Sequence, residues 1–479
     1  MSKQPRLRKR LFVLAVAGAF GIAGAASAAV PAAGSSFATL TRATQLNRGD
    51  TVKGAMPISN TVHVTVALKL RNGAQMKAFL ARAKAPGTPV AQRVMSRAAL
   101  AANHLPTASQ AQAVADFLKR SGFTNVQVSS NRMLVSGDAS AAAVQAAFKT
   151  TLVNVRTHDG RNAFANSKPI RIPATLQGTV QAVLGLQTVH KAHTMLRAHA
   201  SVGISGHFPQ EFADIYGASS LPAATDVDVA VWGWGGMQET VDDLDDFMAS
   251  TGLSAGTVTV VCTDYDGFDA GGVVTDDPTC NNVDQGSVEW DMDSQSILGM
   301  TDGVKSMTFY AAYGGYSSSM TNALNEIVTP TAGEPLAQVI NGSFGLCERF
   351  WDINQGGDGG VQAMQPLFEI GAAQGQTFTI STGDSGADEC GDGQGDSASW
   401  PASSPSVVAV SGTTLRASDT TWARENVWSG SGGSPSSIFD AQPWQASLTY
   451  GTFAGARGPD VAFDGNPNSG AIVLVGGQY

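Results

Sequence analysis

The sequence predicts an α/β protein: a mainly parallel sheet with helices on both faces in its second half, preceded by a small α+β domain of ferredoxin-like type. Three observations predict it. From about residue 227 onward, short β-branched runs that are almost wholly apolar alternate with helix-length segments, as in a sheet buried on both faces. Before residue 190, strands and two helices share about 130 residues, which suits a small α+β sandwich. The 479 residues exceed the ~150 of one domain and allow two or three.

The elements follow in order. TVHVTVAL at 61–68 alternates like a strand. Residues 107–121 read as an amphipathic helix with Thr107 or Ser109 as its cap and Gly122 as its stop. Residues 126–137 read as a hairpin. Asp138 or Ser140 can cap a second helix that runs to about Phe148, and TTLVNVRT returns as a strand. Residues 190–206, polar and dotted with Gly and His, read as a linker. Beyond it, strands are expected at 227–234, 257–263, 306–312, 336–345, 376–382 and 407–414. Helices are expected at 287–300, 322–328 and 361–375. In such sheets working groups gather outside the carboxyl ends of the strands.

Charge divides the chain. Overall it is 43% apolar and only 14% charged, with a net charge of −9, so it is globular and an unpromising partner for nucleic acid. Residues 1–204 carry 25 Lys and Arg against 4 Asp and Glu, whereas residues 205–479 carry 5 against 35. A basic front half facing an acidic back half predicts docking by complementary charge. Acid would protonate the carboxylates and loosen it, with cleavage expected in the 190–208 linker.

The N-terminus reads as a targeting signal. MSKQPRLRKR is basic, residues 11–26 are apolar and uncharged, and Ala26-Ser27-Ala28 fits a small-residue cleavage site. Mature protein would begin near Ala29. The apolar run is short for a membrane span, and no later stretch reaches the ~18 apolar residues of one. Export permits disulfides. Cys262, Cys280, Cys347 and Cys390 allow three pairings, of which Cys262–Cys280 with Cys347–Cys390 is favoured. There is no CxxC pair and no nearby His, so a metal site is not expected among these residues.

All seven histidines lie at or before His207, so a catalytic base in the acidic half must be something other than His. Glu289 and Asp293, four apart on one helix, share a face about 5–6 Å apart at Cβ, and proximity should raise the pKa of one of them. On spacing alone a solvated acidic face is the simpler reading. Asp384, in Thr382-Gly383-Asp384-Ser385-Gly386, directly follows a strand and so falls at a carboxyl edge, although a tight Gly turn would also hold an Asp. The GDSG stretch also occurs around the nucleophile of chymotrypsin-like proteases. That chemistry needs a His base, and the parallel pattern does not fit paired antiparallel barrels.

Several stretches together resemble the sedolisins, the serine-carboxyl peptidases, especially their xanthomonalisin-like members. GSVEWDMDSQSILG (286–299) resembles the family's Glu-x-x-x-Asp helix. VINGSFGLCE (339–348) resembles its substrate-edge strand, with Phe344 where Trp is common, and STGDSGA (381–387) its oxyanion motif. WPASSPSVVAVSGTTL, VWSGSGGSPS, PWQ and RGPDVAFDGNPNSGA are similar to later blocks, and the basic half resembles the pro-kumamolisin activation domain.

The resemblance implies a subtilisin-like fold for the sheet domain. It implies Glu289 as general base, Asp293 as the acid that orients it, Asp384 as a protonated oxyanion donor, and Ser343, Phe344 and Gly345 as the substrate-binding edge. A neutral acid can donate where a carboxylate would repel, so acid pH is expected to suit the mechanism. It also implies an organisation of signal peptide (1–28), pro-domain (29–189), linker (190–206) and peptidase domain (207–479). The product is expected to be secreted, extracellular or periplasmic, and monomeric. Its partners would be protein and peptide substrates and its own pro-domain as an intramolecular inhibitor.

The family's nucleophile segment, Gly-Thr-Ser followed shortly by Pro, has no match. Nor does its calcium loop, so calcium is expected only of a longer chain. Ser385 and Ser434 do not match the nucleophile's context. The chain as given is therefore expected to be inactive, and a non-catalytic remnant that at most binds peptides along the 339–345 edge is the alternative.

Overall fold

The computed structural model describes residues 36–195, 206–263, 272–275, 280, 288–331, 333–445 and 457–479. The expected signal, most of the expected linker and the first two residues of the 286–299 motif lie outside the described residues. Phe37–Tyr479 pack as one unit.

In the first half, a four-stranded antiparallel sheet runs in the order Thr124–Val128, Leu134–Ser140, Thr61–Leu68, Val180–Leu184. Helices Gly73–Lys84 and Ala108–Arg120 fall between its first and second strands in sequence, and Ala141–Phe148 follows the third. This is the β-α-β-β-α-β order of a ferredoxin-like domain. Thr107 does cap its helix: its hydroxyl accepts from Gln110 N while the Gln110 side chain accepts from Thr107 N. Ser140 caps Ala141–Phe148. Asp138 is used elsewhere, 2.8 Å from His63 Nδ1 and accepting from Asn125.

Period two in Thr61–Leu68 sends Val62, Val64, Val66 and Leu68 into this domain's own core, with Val114, Leu118 and Phe148. The opposite face meets the second half. Ala67, Met76, Leu80, Met133 and Leu134 join the same apolar cluster as Leu324, Met364 and Phe368. Hydrogen bonds cross there too: Asn131 to Asn325 and Thr329, and Gln187 to Asp358.

The second half is built on a nine-stranded sheet. Its spatial order is Gly272–Thr275, Thr257–Thr263, Val304–Ala312, Ala224–Trp234, Val339–Gly342, Thr377–Ser381, Val408–Ser418 and Thr421–Val427, and Val461–Asp464 also pairs with Val408–Ser418. The inner pairings are parallel, while Gly272–Thr275 and Thr421–Val427 pair antiparallel at the ends. Helices Val288–Thr301, Ser317–Val328 and Gly360–Gln374 lie close to the expected spans.

The strand expected at 336–345 is two strands. Val339–Gly342 stays in the main sheet, and after Ser343 the chain leaves it as Phe344–Cys347, which pairs with His193–Thr194 and Ser399–Trp400. In the described part of the expected linker, His190, Ala192 and Met195 are buried. Cys262–Cys280 and Cys347–Cys390 are disulfides.

Candidate active site

Helix Val288–Thr301 is fixed by Trp290. Its indole Nε1 donates to the Trp234 carbonyl at 3.0 Å, and its ring meets Trp234 edge-on at 5.4 Å. Gly233 leaves the space for that ring, because a Cβ there would lie 2.6 Å from it. With Trp290 locked on the sheet, helical geometry turns Glu289 and Asp293 together toward the carboxyl ends of the strands. Both are buried, Glu289 to 1% exposure and Asp293 to 8%. The solvated-face reading is therefore wrong: tertiary packing, invisible in the spacing, covers this side of the helix.

Ser343, at the gap between the two short strands, donates its hydroxyl to Asp293 Oδ1 at 2.7 Å, and Asn341 Nδ2 reaches Ser343 Oγ at 3.3 Å. Burial pushes the Asp293 carboxyl up to about 7, against the opposing hydrogen bonds of Ser343 and Asn341. Burial also lifts Glu289 well above the ordinary range, and the charges of Asp293 and Asp384 push it the same way. Two acids that cannot both ionise cheaply will share a proton at moderate pH.

Asp384 follows strand Thr377–Ser381 on a turn that Gly383 permits with φ of 107°. The turn is clamped by the 430–432 segment: Gly432 N donates to Gly383 O at 2.6 Å, Gly386 N to Gly430 O at 2.9 Å, and Thr382 Oγ1 to Gly432 O at 3.0 Å. A side chain at Gly432 would overlap the Thr382 carbonyl. The field of Asp384 reaches Glu289, so all three predicted acids stand at one carboxyl edge.

The predicted substrate edge is used through its backbone. Gly345 and Phe344 pair with His193 and Thr194, and Ser343 O accepts from Met195 N at 3.2 Å. The Phe344 ring points away from this edge into the core, edge-on to Trp232 at 4.8 Å and Trp234 at 5.7 Å. Ser434 Oγ donates to Ala387 O at 2.6 Å, which occupies the hydroxyl of one serine considered above. Sequence reasoning missed Asn341, Glu389 and the 192–195 segment. Asn341 sits within a quoted motif and Glu389 two residues beyond another, but nothing in the sequence brings His193 to them.

Residues 48–189 match the model of the pro-kumamolisin activation domain. The chain is 37% identical over 444 residues to sedolisin of Pseudomonas sp. (strain 101), covering 87% of this chain and 72% of that one. It is 35% identical over 488 residues to xanthomonalisin of Xanthomonas sp. (strain T-22), covering 88% of this chain and 56% of the relative, so it spans little more than half of that protein. It is 29% identical over 461 residues to kumamolisin of Bacillus sp. (strain MN-32), covering 89% and 78%. With a carboxyl pair on its helix and an activation domain in front of an α/β sheet, the chain belongs to the sedolisin family of serine-carboxyl peptidases.

Proposed function

We propose that this chain is the precursor of a secreted endopeptidase that acts on proteins in acid. The carrying observation is the buried pair Glu289 and Asp293 at the carboxyl edge of the sheet, with the charge of Asp384 reaching Glu289. In this reading Glu289 takes the proton of a serine hydroxyl as it attacks a peptide carbonyl. Asp293 is held by Ser343 and shares the added proton, so charge is not created in a low-dielectric site. Asp384, protonated, donates a hydrogen bond to the developing oxyanion. Each acid works in part as a neutral carboxyl, which supports an acid working range.

The serine itself is assigned to none of residues 1–479, because no segment here matches its context. Residues 29–189 are read as the pro-domain and inhibitor, 190–206 as its link to the peptidase domain, and 1–28 as the signal. No helix among the described residues is long and apolar enough to cross a membrane. Calcium stays an expectation for a longer chain.

The test extends this chain with the C-terminal segment of the Pseudomonas relative and assays a denatured protein substrate from pH 3 to 8. The unextended chain should be inactive. The extended chain should be active in acid and lose on the order of 10³-fold or more with Glu289→Gln. Activity that survives this substitution would overturn the assignment. The remnant reading, a cleft that binds peptides without cutting them, is favoured by the strand pairing at Phe344–Gly345 and predicts no activity in the extended chain.

A further inference from the structure

The segment leading out of the first half lies along the substrate edge as an added strand. Ala192 N donates to Gly315 O at 2.7 Å, His193–Thr194 runs antiparallel to Phe344–Gly345, and Met195 N donates to Ser343 O. Met195 is buried beside Gly345, where a Cβ would lie 2.6 Å from its terminal methyl and 2.0 Å from Ser399 Oγ. Residues two apart on a strand share a face, so His193 lies on the same side as Met195. There its Nε2 is 3.2 Å from Glu389 Oε1.

Glu389 is an unusual carboxylate. Its side chain is 1% exposed, and among the described residues neither oxygen has another partner. It is wedged under the turn that carries Asp384, since a Cβ on Gly383 would lie 2.5 Å from Glu389 Oε2. The nearby Arg349 is engaged elsewhere, with Asp392 at 2.9 Å and Cys390 Sγ at 3.2 Å. A buried carboxylate left alone is costly, and a positive partner relieves the cost. The His193 side chain is half exposed, at 47%, so the mouth of the site is open to longer side chains. When the segment leaves the edge, Glu389 loses the partner it has.

We propose that Glu389 is a specificity-determining residue that selects a positively charged side chain at the position His193 holds, two residues before the one whose amide meets Ser343 O. Peptides lying on Phe344–Gly345 are thereby chosen for Lys, Arg or protonated His at that position. The proposal rests on the reading of this cleft as a peptidase site, and it deepens that reading. His193 fits it: the hydrogen bond and charge of Glu389 and the charge of Asp384 outweigh its burial and raise its pKa above the usual value.

The chain's own segment serves as the probe. Hydrogen exchange of the Met195 amide is measured at pH 7 in the full chain and in His193→Arg, His193→Leu and His193→Glu. Protection should be kept or increased in His193→Arg, fall about 10-fold in His193→Leu, and fall further, about 100-fold, in His193→Glu. In the Glu389→Gln background the spread between Arg and Glu should collapse to within about threefold. Equal protection for Leu and Arg, or an order that persists without the carboxylate, would overturn the proposal. Should Glu389→Gln fail to fold, the imidazole of His193 titrated by NMR in the unmodified chain decides: a pKa at or below about 6.5 counts against it. Peptidase chemistry enters none of these readouts. Failure of the extended chain to cut protein would sink the catalytic reading alone, and a wrong protection order would sink this one alone.

Discussion

A carboxyl group placed out of water prefers its proton, and at Asp293 this preference has a measurable sign. Its folded pKa of about 7 stands above the ~3.9 of an unfolded Asp. As pH rises through this window the unfolded chain gives up its proton first, so stability is fully present below pH 4 and is lost by pH 7. Asp293→Asn cannot ionise, and an amide oxygen can still accept from Ser343. The variant should therefore gain about 2–4 kcal/mol relative to the parent between pH 4 and pH 8, the upper figure corresponding to the whole shift. Urea unfolding at the two pH values measures it, and a pH-independent difference would show that Glu289 carries the proton instead. The Glu-x-x-x-Asp spacing was legible in the sequence, but its burial was not. Acidic residues on a helix are usually solvated, and only the packing around Trp290 shows that these two are not.

At the scale of elements, the helix that carries the acids depends on a glycine in a strand. A Cβ at Gly233 would lie 2.6 Å from the Trp290 ring, which is rigid and wholly buried. Gly233→Ala should cost about 1–3 kcal/mol as an overpacked core, seen as a lowered melting temperature. Near-UV circular dichroism should change with it as Trp290 shifts, and an unchanged melt would mean the helix moves freely. Most elements of both sheets could be read from period and composition, because strands buried on both faces are continuously apolar and Thr107 and Ser140 mark their helices. Others were missed for physical reasons. Helix Gly73–Lys84 has no side-chain cap at Asn72, which adopts a left-handed conformation. The break at Ser343 was hidden in one apolar run, since it serves a tertiary purpose: it brings a hydroxyl to Asp293 and turns Phe344–Cys347 into an edge.

For the whole molecule, the opposed charges of the two halves suggested an electrostatic clamp. The contact has an apolar centre that spans both halves, so salt should weaken it less than charge alone implies. A buried histidine gives a sharper acid response. His190 stacks on Phe350 at 4.5 Å, its Nε2 is 2.7 Å from Gln45 O, and its Nδ1 has no hydrogen-bond partner among the described residues. Burial lowers its pKa to about 4, although the Gln45 hydrogen bond and the charge of Asp50 oppose the shift and Arg161 adds to it. An unfolded His protonates near 6.5, so this site contributes no penalty above that pH. Stability is then lost as pH falls from 6.5 to 4, by about 3 kcal/mol if the full shift is realised. His190→Phe should keep the stacking and remove that part of the pH dependence. Unfolding free energies of both chains between pH 7 and 4 test this, and parallel curves would place the acid response elsewhere.

The sequence by itself determined the alternation of strands and helices, the Ser and Thr caps, the two halves of opposite charge and the acids on one helix face. These are local or additive properties, read over a few residues at a time. Tertiary structure alone decided that Glu289 and Asp293 lose their water, that Asp384 joins them, and that a basic-half segment lies on the edge beside Ser343 with His193 on Glu389. These depend on residues some 50 to 200 positions apart being brought together by a sheet whose order differs from chain order, and desolvation belongs to the packed ensemble of side chains rather than to any one stretch of sequence.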